Sequence, residues 1–221
     1  MIARSLISKL IPPLKDTDNG IKALSWMGEF HLQSFPVVSG KELVGMVSEY
    51  DILDMDNPEN QLSTLQLDAN IERMQEFDLI YDVVKKMYES KMGSIAVLDA
   101  EDEYIGLITS ETVMQYFAST NAFQDPGGVL ILQMKSRDYS MVEISQIIET
   151  NHAVILESHI AVNPKDHEKL TVTIKVNKLQ MEAIVATFER YKYTVKAVQH
   201  ETEDTEMLQD RLDGLLNYLD I

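Results

Sequence analysis

Two short runs place a hydroxyl three residues ahead of a second hydrogen-bonding side chain: Ser48-Glu49-Tyr50-Asp51 and Thr109-Ser110-Glu111-Thr112. The simplest chemistry for such a pair is a helix cap, in which the hydroxyl accepts a backbone N–H of the first turn. The strict capping-box pattern Ser/Thr-x-x-Glu is met by neither run. Other reactive residue types are missing or scattered. The chain has no cysteine, which excludes disulfides, thiol nucleophiles and cysteine zinc sites and fits a reducing compartment. The five histidines, at 31, 152, 159, 167 and 200, show no metal-ligand spacing; His152 and His159 flank or lie in one strand candidate without a third ligand. Gly-x-Ser-x-Gly, a Walker loop and a Rossmann glycine fingerprint are all absent. No nucleophile or acid–base constellation emerges, so the expectation is a protein that is not an enzyme and carries no metal.

The elements that must position the two runs are themselves repeated. Residues 11–54 overlay 71–115 at an offset of 60, with Ile11 on Ile71, Asp18 on Asp78, and Phe35-Pro36-Val37-Val38 on Ile95-Ala96-Val97-Leu98. After a polar stretch the offset becomes 61, and Leu43-Val44-Gly45-Met46-Val47-Ser48 faces Tyr104-Ile105-Gly106-Leu107-Ile108-Thr109. The insertion falls in a polar turn, where length changes are tolerated. Each copy reads as helix, strand, strand, helix. Asp18 and Asp78 are expected as N-caps of the first helix. In the second copy Tyr81, Val84, Met87 and Tyr88 form its apolar stripe. Units of this size bury little alone, so the copies should pack on each other.

A tandem β-α-β-β-α unit with Pro36-Val37-Val38 and then Gly45-Met46-Val47-Ser48-Glu49-Tyr50-Asp51 resembles a pair of cystathionine-β-synthase (CBS) domains over about residues 5–120. The resemblance implies a cleft for an adenosine-containing ligand. Ser48 and Asp51 would be its principal contacts, with the Asp51 carboxylate on the ribose hydroxyls, and Thr109 and Pro36 would join them. A carboxylate accepts two hydrogen bonds from a cis-diol, and charge-assisted bonds of this kind are strong. Thr112 stands where the second copy would need its carboxylate. Capping without any ligand remains the alternative for both runs.

Asp125-Pro126-Gly127-Gly128 marks a break. A β-rich run from Val129 to Met134 follows, and Ser140-Met141-Val142-Glu143 reads as a capping box opening a helix striped by Met141, Ile144, Ile147 and Ile148. Asn151 is the expected left-handed stop. Strands at 153–162 and 170–176 flank the turn Asn163-Pro164-Lys165-Asp166, the second alternating cleanly. A helix striped by Met181, Ile184, Val185 and Phe188 leads to a last strand at 193–198. This β-α-β-β-α-β order is ferredoxin-like. Its size and position resemble an ACT domain, and the combination resembles the acetoin-utilisation accessory proteins. The loop Lys135-Ser136-Arg137-Asp138-Tyr139 lacks the Asp-x-Pro-Gly of amino-acid-binding ACT domains, and Arg137 reads as a solvated charge, with an anion contact as the alternative. Leu208, Leu212, Leu215 and Leu219 stripe a final amphipathic helix.

The fold class expected is therefore α/β (α+β). A CBS-domain pair at 1–125 (repeats about 5–60 and 65–120) precedes an ACT-like domain at 126–200 and a C-terminal helix at 201–221. The 221 residues carry a formal charge of −17. Residues 1–127 hold 21 acidic and 9 basic side chains, net −12; residues 128–200 are net +1, and 201–221 net −6. This acidity argues against nucleic acid and anionic membranes. It also favours adenosine, AMP or S-adenosylmethionine, or a metal–nucleotide complex, over free ATP. Arg4, Lys9 and Pro12-Pro13 break the N-terminal apolar run, and no stretch approaches the roughly 20 apolar residues of a membrane span. A cytoplasmic regulatory protein is expected, without cofactor, that responds to AMP, ATP or S-adenosylmethionine. Its expected partners are a second copy of itself, paired through the near-neutral ACT-like unit, and an unidentified protein. A purely structural interaction module is the alternative.

Overall fold

The computed structural model describes residues 1–67, 71–91 and 93–200; the expected C-terminal helix lies outside them. The chain divides into two compact units between Phe117 and Ala118.

The first unit holds two copies of one motif. In the first copy, β1 (Leu14–Lys15) leads to α1 (Gly20–Phe30), the hairpin β2 (Ser34–Ser39) and β3 (Glu42–Ser48), and α2 (Glu49–Leu53). The second copy has β4 (Arg73–Gln75), α3 (Ile80–Ser90), β5 (Ser94–Leu98), β6 (Tyr104–Thr109) and α4 (Ser110–Ala118). Each forms a three-stranded sheet, β1-β2-β3 or β4-β5-β6, whose first pair is parallel and second antiparallel. The hairpins share a register shift at the same repeat position, Val37/Val38 and Val97/Leu98. Only the turns differ. The first turns at Gly40, whose φ of 63° suits glycine; the longer second turn places Asp102 at φ 61°.

The copies are bound by an exchange of lead-in segments. Residues 3–6 form a 3₁₀ turn that belongs by sequence to the first copy but packs on the second: Ala3 and Arg4 N–H donate to the Asp78 and Glu76 carbonyls at 2.8 and 2.9 Å. Its counterpart, residues 62–64, packs on the first copy, with Leu62 and Ser63 N–H on the Asp18 and Asp16 carbonyls at 2.7 and 2.9 Å. Ala3 and Leu6 thus complete the core of the second copy around Met74, Val83, Val97 and Ile108. Leu62 completes that of the first around Leu14, Phe35 and Ile52. The Arg4 guanidinium pairs with the buried Glu76 carboxylate. A third cluster, Val38, Leu43, Ala96 and Leu98, joins the two hairpins directly.

Two expectations are corrected. Asp18 and Asp78 do not cap helices; each accepts the backbone N–H three residues before it, Lys15 and Gln75, both at 2.8 Å, and so closes the turn after the short strand. Asn19 caps α1 instead, accepting the Lys22 N–H at 2.9 Å. The core face of α3 is Ile80 and Val83, with Met87 packed beside them, while Tyr81, Val84 and Tyr88 of the expected stripe face outward. Helical spacing finds a face but not its side when tyrosines are counted as apolar.

In the second unit α5 (Asn121–Gln124) is followed by β7 (Gly128–Lys135), α6 (Met141–Thr150), β8 (Ile155–Asn163), β9 (Asp166–Val176), α7 (Glu182–Arg190) and β10 (Thr194–His200). The sheet order is β10-β7-β9-β8, antiparallel throughout, which is the ferredoxin-like arrangement. Leu130, Leu132, Val172, Ile174 and Val176 pack against Ile144, Ile147, Ile148, Ile184 and Phe188 from the helices. The expected capping box forms on one side only. Ser140 accepts the Glu143 N–H at 3.2 Å, but the Glu143 carboxylate accepts the Tyr193 hydroxyl at 2.5 Å. Burial first, and then this contact, push the Tyr193 phenol well above its ordinary range. The left-handed residue after α6 is His152 (φ 57°), not Asn151, whose amide donates instead to Ile147 O and Thr187 Oγ1.

Two measurements check this account. The Tyr104 hydroxyl is buried without a hydrogen-bond partner between the hairpins, and burial pushes the phenol up. Tyr104→Phe is therefore expected to stabilise the protein by about 1 kcal/mol in denaturant unfolding. Burial pushes the Asp18 carboxyl up, but the Lys22 hydrogen bond, the Lys15 N–H and the two lysine charges outweigh it and hold it below its ordinary value of 3.8. A carboxyl depressed by folding stabilises above its unfolded pKa, and that stability is lost as pH falls through the folded value. Asp18→Asn should flatten the loss of stability below about pH 4.

Candidate ligand-binding site

Each hairpin of the first unit ends at a helix start, and the two ends border one cavity. In the first copy Ser34 at the start of β2 lies directly opposite Ser48 at the end of β3; in the second, Ser94 lies opposite Thr109. All four residues line a cavity of about 610 Å³. Its wall also takes Phe30 and Leu32, and, at equivalent positions after α1 and α3, His31 and Lys91. Ser34, Ser94 and Thr109 are three of the four buried polar side chains found among the described residues. Together with Ser48 they give the cavity a polar lining drawn from both repeats. Ser34 and Ser94 escaped sequence reasoning. Their signal was available, since both are serines 60 residues apart in the repeat.

The two candidate runs form the same cap with different chemistry. The Asp51 Oδ2 atom accepts the Ser48 N–H at 2.7 Å and the Ser48 hydroxyl at 2.6 Å, while the Asp51 N–H donates to Ser48 Oγ at 3.3 Å. That is a reciprocal capping box with Asp in place of Glu, which corrects the expectation drawn from the strict pattern. In the second copy Thr109 N–H donates to Thr112 Oγ1 at 3.1 Å, and Thr112 N–H to Thr109 Oγ1 at 3.2 Å. Thr112 therefore preserves the cap and drops only the charge. Both bonds to Asp51 end on Oδ2, which leaves Oδ1 outside the box. Of the residues expected to bind ligand, Ser48 and Thr109 line the cavity together, whereas Pro36 is buried within β2. Asp51 stands half-buried beside Ser48, one helical turn from the cavity lining.

The cavity carries mixed charge, with Lys91 and Glu111 both on its wall. Among the described residues no group of three or more His, Cys, Asp or Glu side chains is placed to hold a metal ion. Among the same residues, no helix is long and apolar enough to cross a membrane.

Residues 74–119 match the family model described as the CBS domain. The first copy repeats the elements of the matched segment in the same order. A curated relative, the uncharacterised protein MJ1232 of Methanocaldococcus jannaschii, is 25% identical over 120 residues, 48% of this chain and 40% of its own length. The chain thus spans less than half of that relative. Among solved structures, protein MJ1004 of M. jannaschii is 22% identical, with a TM-score of 0.50 over 57% of this chain and 62% of that one. A CBS domain pair/ACT domain protein of Thermotoga maritima is 16% identical, with a TM-score of 0.47 over 53% of this chain and 96% of that one.

The shared cap separates structure from charge at position 51. Asp51→Ala should lower stability by about 1 kcal/mol through loss of the box. Asp51→Thr, which copies the second repeat, should cost clearly less. Chemical denaturation of the two variants reads the difference directly.

Proposed function

We propose that the first unit is a regulatory sensor of an adenosine-containing ligand and that the protein does no chemistry on it. One observation carries the reading: hydroxyls from both repeats, Ser34 with Ser48 and Ser94 with Thr109, face a single cavity whose size suits a small molecule. The CBS match supports it. In this reading Ser48 and Thr109 hold polar groups of the ligand. The free Oδ1 of Asp51 accepts from a ribose hydroxyl, and Pro36 shapes the strand behind them. The mixed charge of the cavity and the net −12 of residues 1–127 favour AMP or S-adenosylmethionine over free ATP. A ligand at 100 times its Kd stabilises the state it prefers by about 2.7 kcal/mol, enough to reset a two-state equilibrium between arrangements of the unit.

The second unit, read as ACT-like after the acetoin-utilisation accessory proteins, would pair copies of the chain or take a second metabolite, in the cytoplasm. Exposed apolar side chains favour a further role in binding another protein: Leu53 and Met114, at equivalent repeat positions, are 69% and 68% exposed. In that second reading the pair is ligand-free and purely an interaction module.

Melting temperature against AMP, Mg²⁺-ATP, S-adenosylmethionine and NAD decides between them. Wild type should gain several degrees with at least one nucleotide, and Asp51→Thr, with its cap intact, should lose that gain. No shift with any of them sinks the sensor reading. A shift unchanged in Asp51→Thr removes Asp51 from the site.

A further inference from the structure

The sheet of the second unit opens at one end. Strand β10 meets β7 for the last time at Thr194 and Gln133. Strand β7 runs on for two more residues, with Met134 and Lys135 still paired to Leu170 and Lys169 of β9. On their other side these two residues meet no strand, because the chain enters β10 from the turn after α7. Lys192, at φ 66°, lies in that turn. The gap between β7 and the turn is a cavity of about 480 Å³, a size that suits a small molecule. It lies on the side of β7 away from β8, and this unit alone lines it.

The charges around the gap are unevenly engaged. Lys135, Lys169 and Lys192 line it with Asp138 and Glu143. Lys169 is ion-paired to Asp166 at 2.7 Å, and Asp138 has the Arg137 guanidinium at 3.6 Å. Those two pairs cancel. Lys135 and Lys192, both exposed, make no side-chain hydrogen bond or ion pair among the described residues. They face one remaining carboxylate, that of Glu143, whose Oε2 accepts the Tyr193 hydroxyl at 2.5 Å. The Tyr193 bond fixes this carboxylate and leaves its Oε1 open to a second donor.

We propose that the gap binds a small hydroxylated dianion, a polyol phosphate or a hydroxy-dicarboxylate. Its charged groups lie on Lys135 and Lys192, and its hydroxyl donates to Oε1 of Glu143. Two ammonium groups match two negative charges, and charge-assisted bonds are the strong ones. An α-amino acid fits less well: its ammonium shares a carbon with its carboxylate and is carried against the two lysines. The acidity of the whole chain does not oppose the site, because charges more than about 10 Å away are largely screened. The proposal rests on the reading of the second unit as taking a second metabolite and gives that metabolite a chemical class. It is independent of the ligand of the first unit.

Calorimetric titration of the full-length protein with glycerol 3-phosphate, malate, succinate and serine tests it. Glycerol 3-phosphate or malate should bind with a Kd below about 1 mM, and the tighter of the two identifies the source of the dianion. Succinate is malate without the hydroxyl and should bind roughly tenfold more weakly than malate. Lys135→Gln and Lys192→Asn should each weaken binding roughly tenfold at an unchanged ligand-free melting temperature; asparagine tolerates the left-handed turn. Asp51→Thr should leave binding as it is. Serine or succinate binding as tightly as malate overturns the ligand class. Binding that survives both lysine substitutions, or is lost in Asp51→Thr, overturns the site. Binding of neither dianion overturns the proposal and leaves the adenosine reading of the first unit to its own melting-temperature test.

Discussion

Backbone hydrogen bonds exchanged between the repeats, among them those from Ala3, Arg4, Leu62 and Ser63 to the turns before α3 and α1, hold the first unit together. They come from segments that each lead into one repeat and pack on the other. Neither repeat closes its own core, because Ala3 and Leu6 belong to the second cluster and Leu62 to the first. The exchange also explains a glycine. A Cβ on Gly106 would lie 2.3 Å from Ile7 Cγ2, so β6 tolerates the N-terminal segment only without a side chain there. Once the two copies are locked in this way, their hairpins meet through Val38, Leu43, Ala96 and Leu98, and the ends carrying Ser48 and Thr109 are brought to one cavity. The candidate site is thus a product of the pairing and belongs to neither repeat alone.

Helix ends supply the second layer of order, and they follow one rule in both units. Helices α1, α3, α6 and α7 are each followed by a basic residue in the left-handed region: His31, Lys91, His152 and Lys192, with φ between 54° and 66°. After α1, α6 and α7 the next residue's N–H reaches back five positions, from Leu32 to Met27, Ala153 to Ile148 and Tyr193 to Phe188. These are Schellman closures, a motif in which glycine is usual because it has no Cβ to clash. A lysine at the negative end of the helix dipole, as at Lys91 and Lys192, offsets part of that cost. Lys91 therefore has a structural reason for being basic, and His31 stands at the same position of the first repeat. Their place on the cavity wall follows from where α1 and α3 stop.

Much of this was legible in the sequence. The offset of 60 that becomes 61 located both copies, both hairpins and the one-residue difference in their turns. The strict alternation from Leu170 to Val176 located β9 and its buried face. Local signals failed where one group had two candidate hydrogen-bond partners. Asp18 and Asn19 both suit an N-cap; Asn19 takes the Lys22 N–H while Asp18 closes the preceding turn. Glu143 has the right spacing for a box, but Tyr193, fifty residues on, takes its carboxylate. Position 51 shows the reverse, since Asp, shorter than Glu, still reaches the Ser48 N–H.

The sequence by itself determined the elements and their order, because backbone propensity, turn chemistry and hydrophobic period act within a few residues. It also determined the equivalence of Ser48 with Thr109 and the loss of charge at Thr112. Tertiary structure alone decided which lead-in segment completes which core, and that Ser34 and Ser94 face the same cavity as Ser48 and Thr109. Those outcomes depend on contacts between residues 14 to 99 positions apart, and periodicity carries no record of which apolar face meets which.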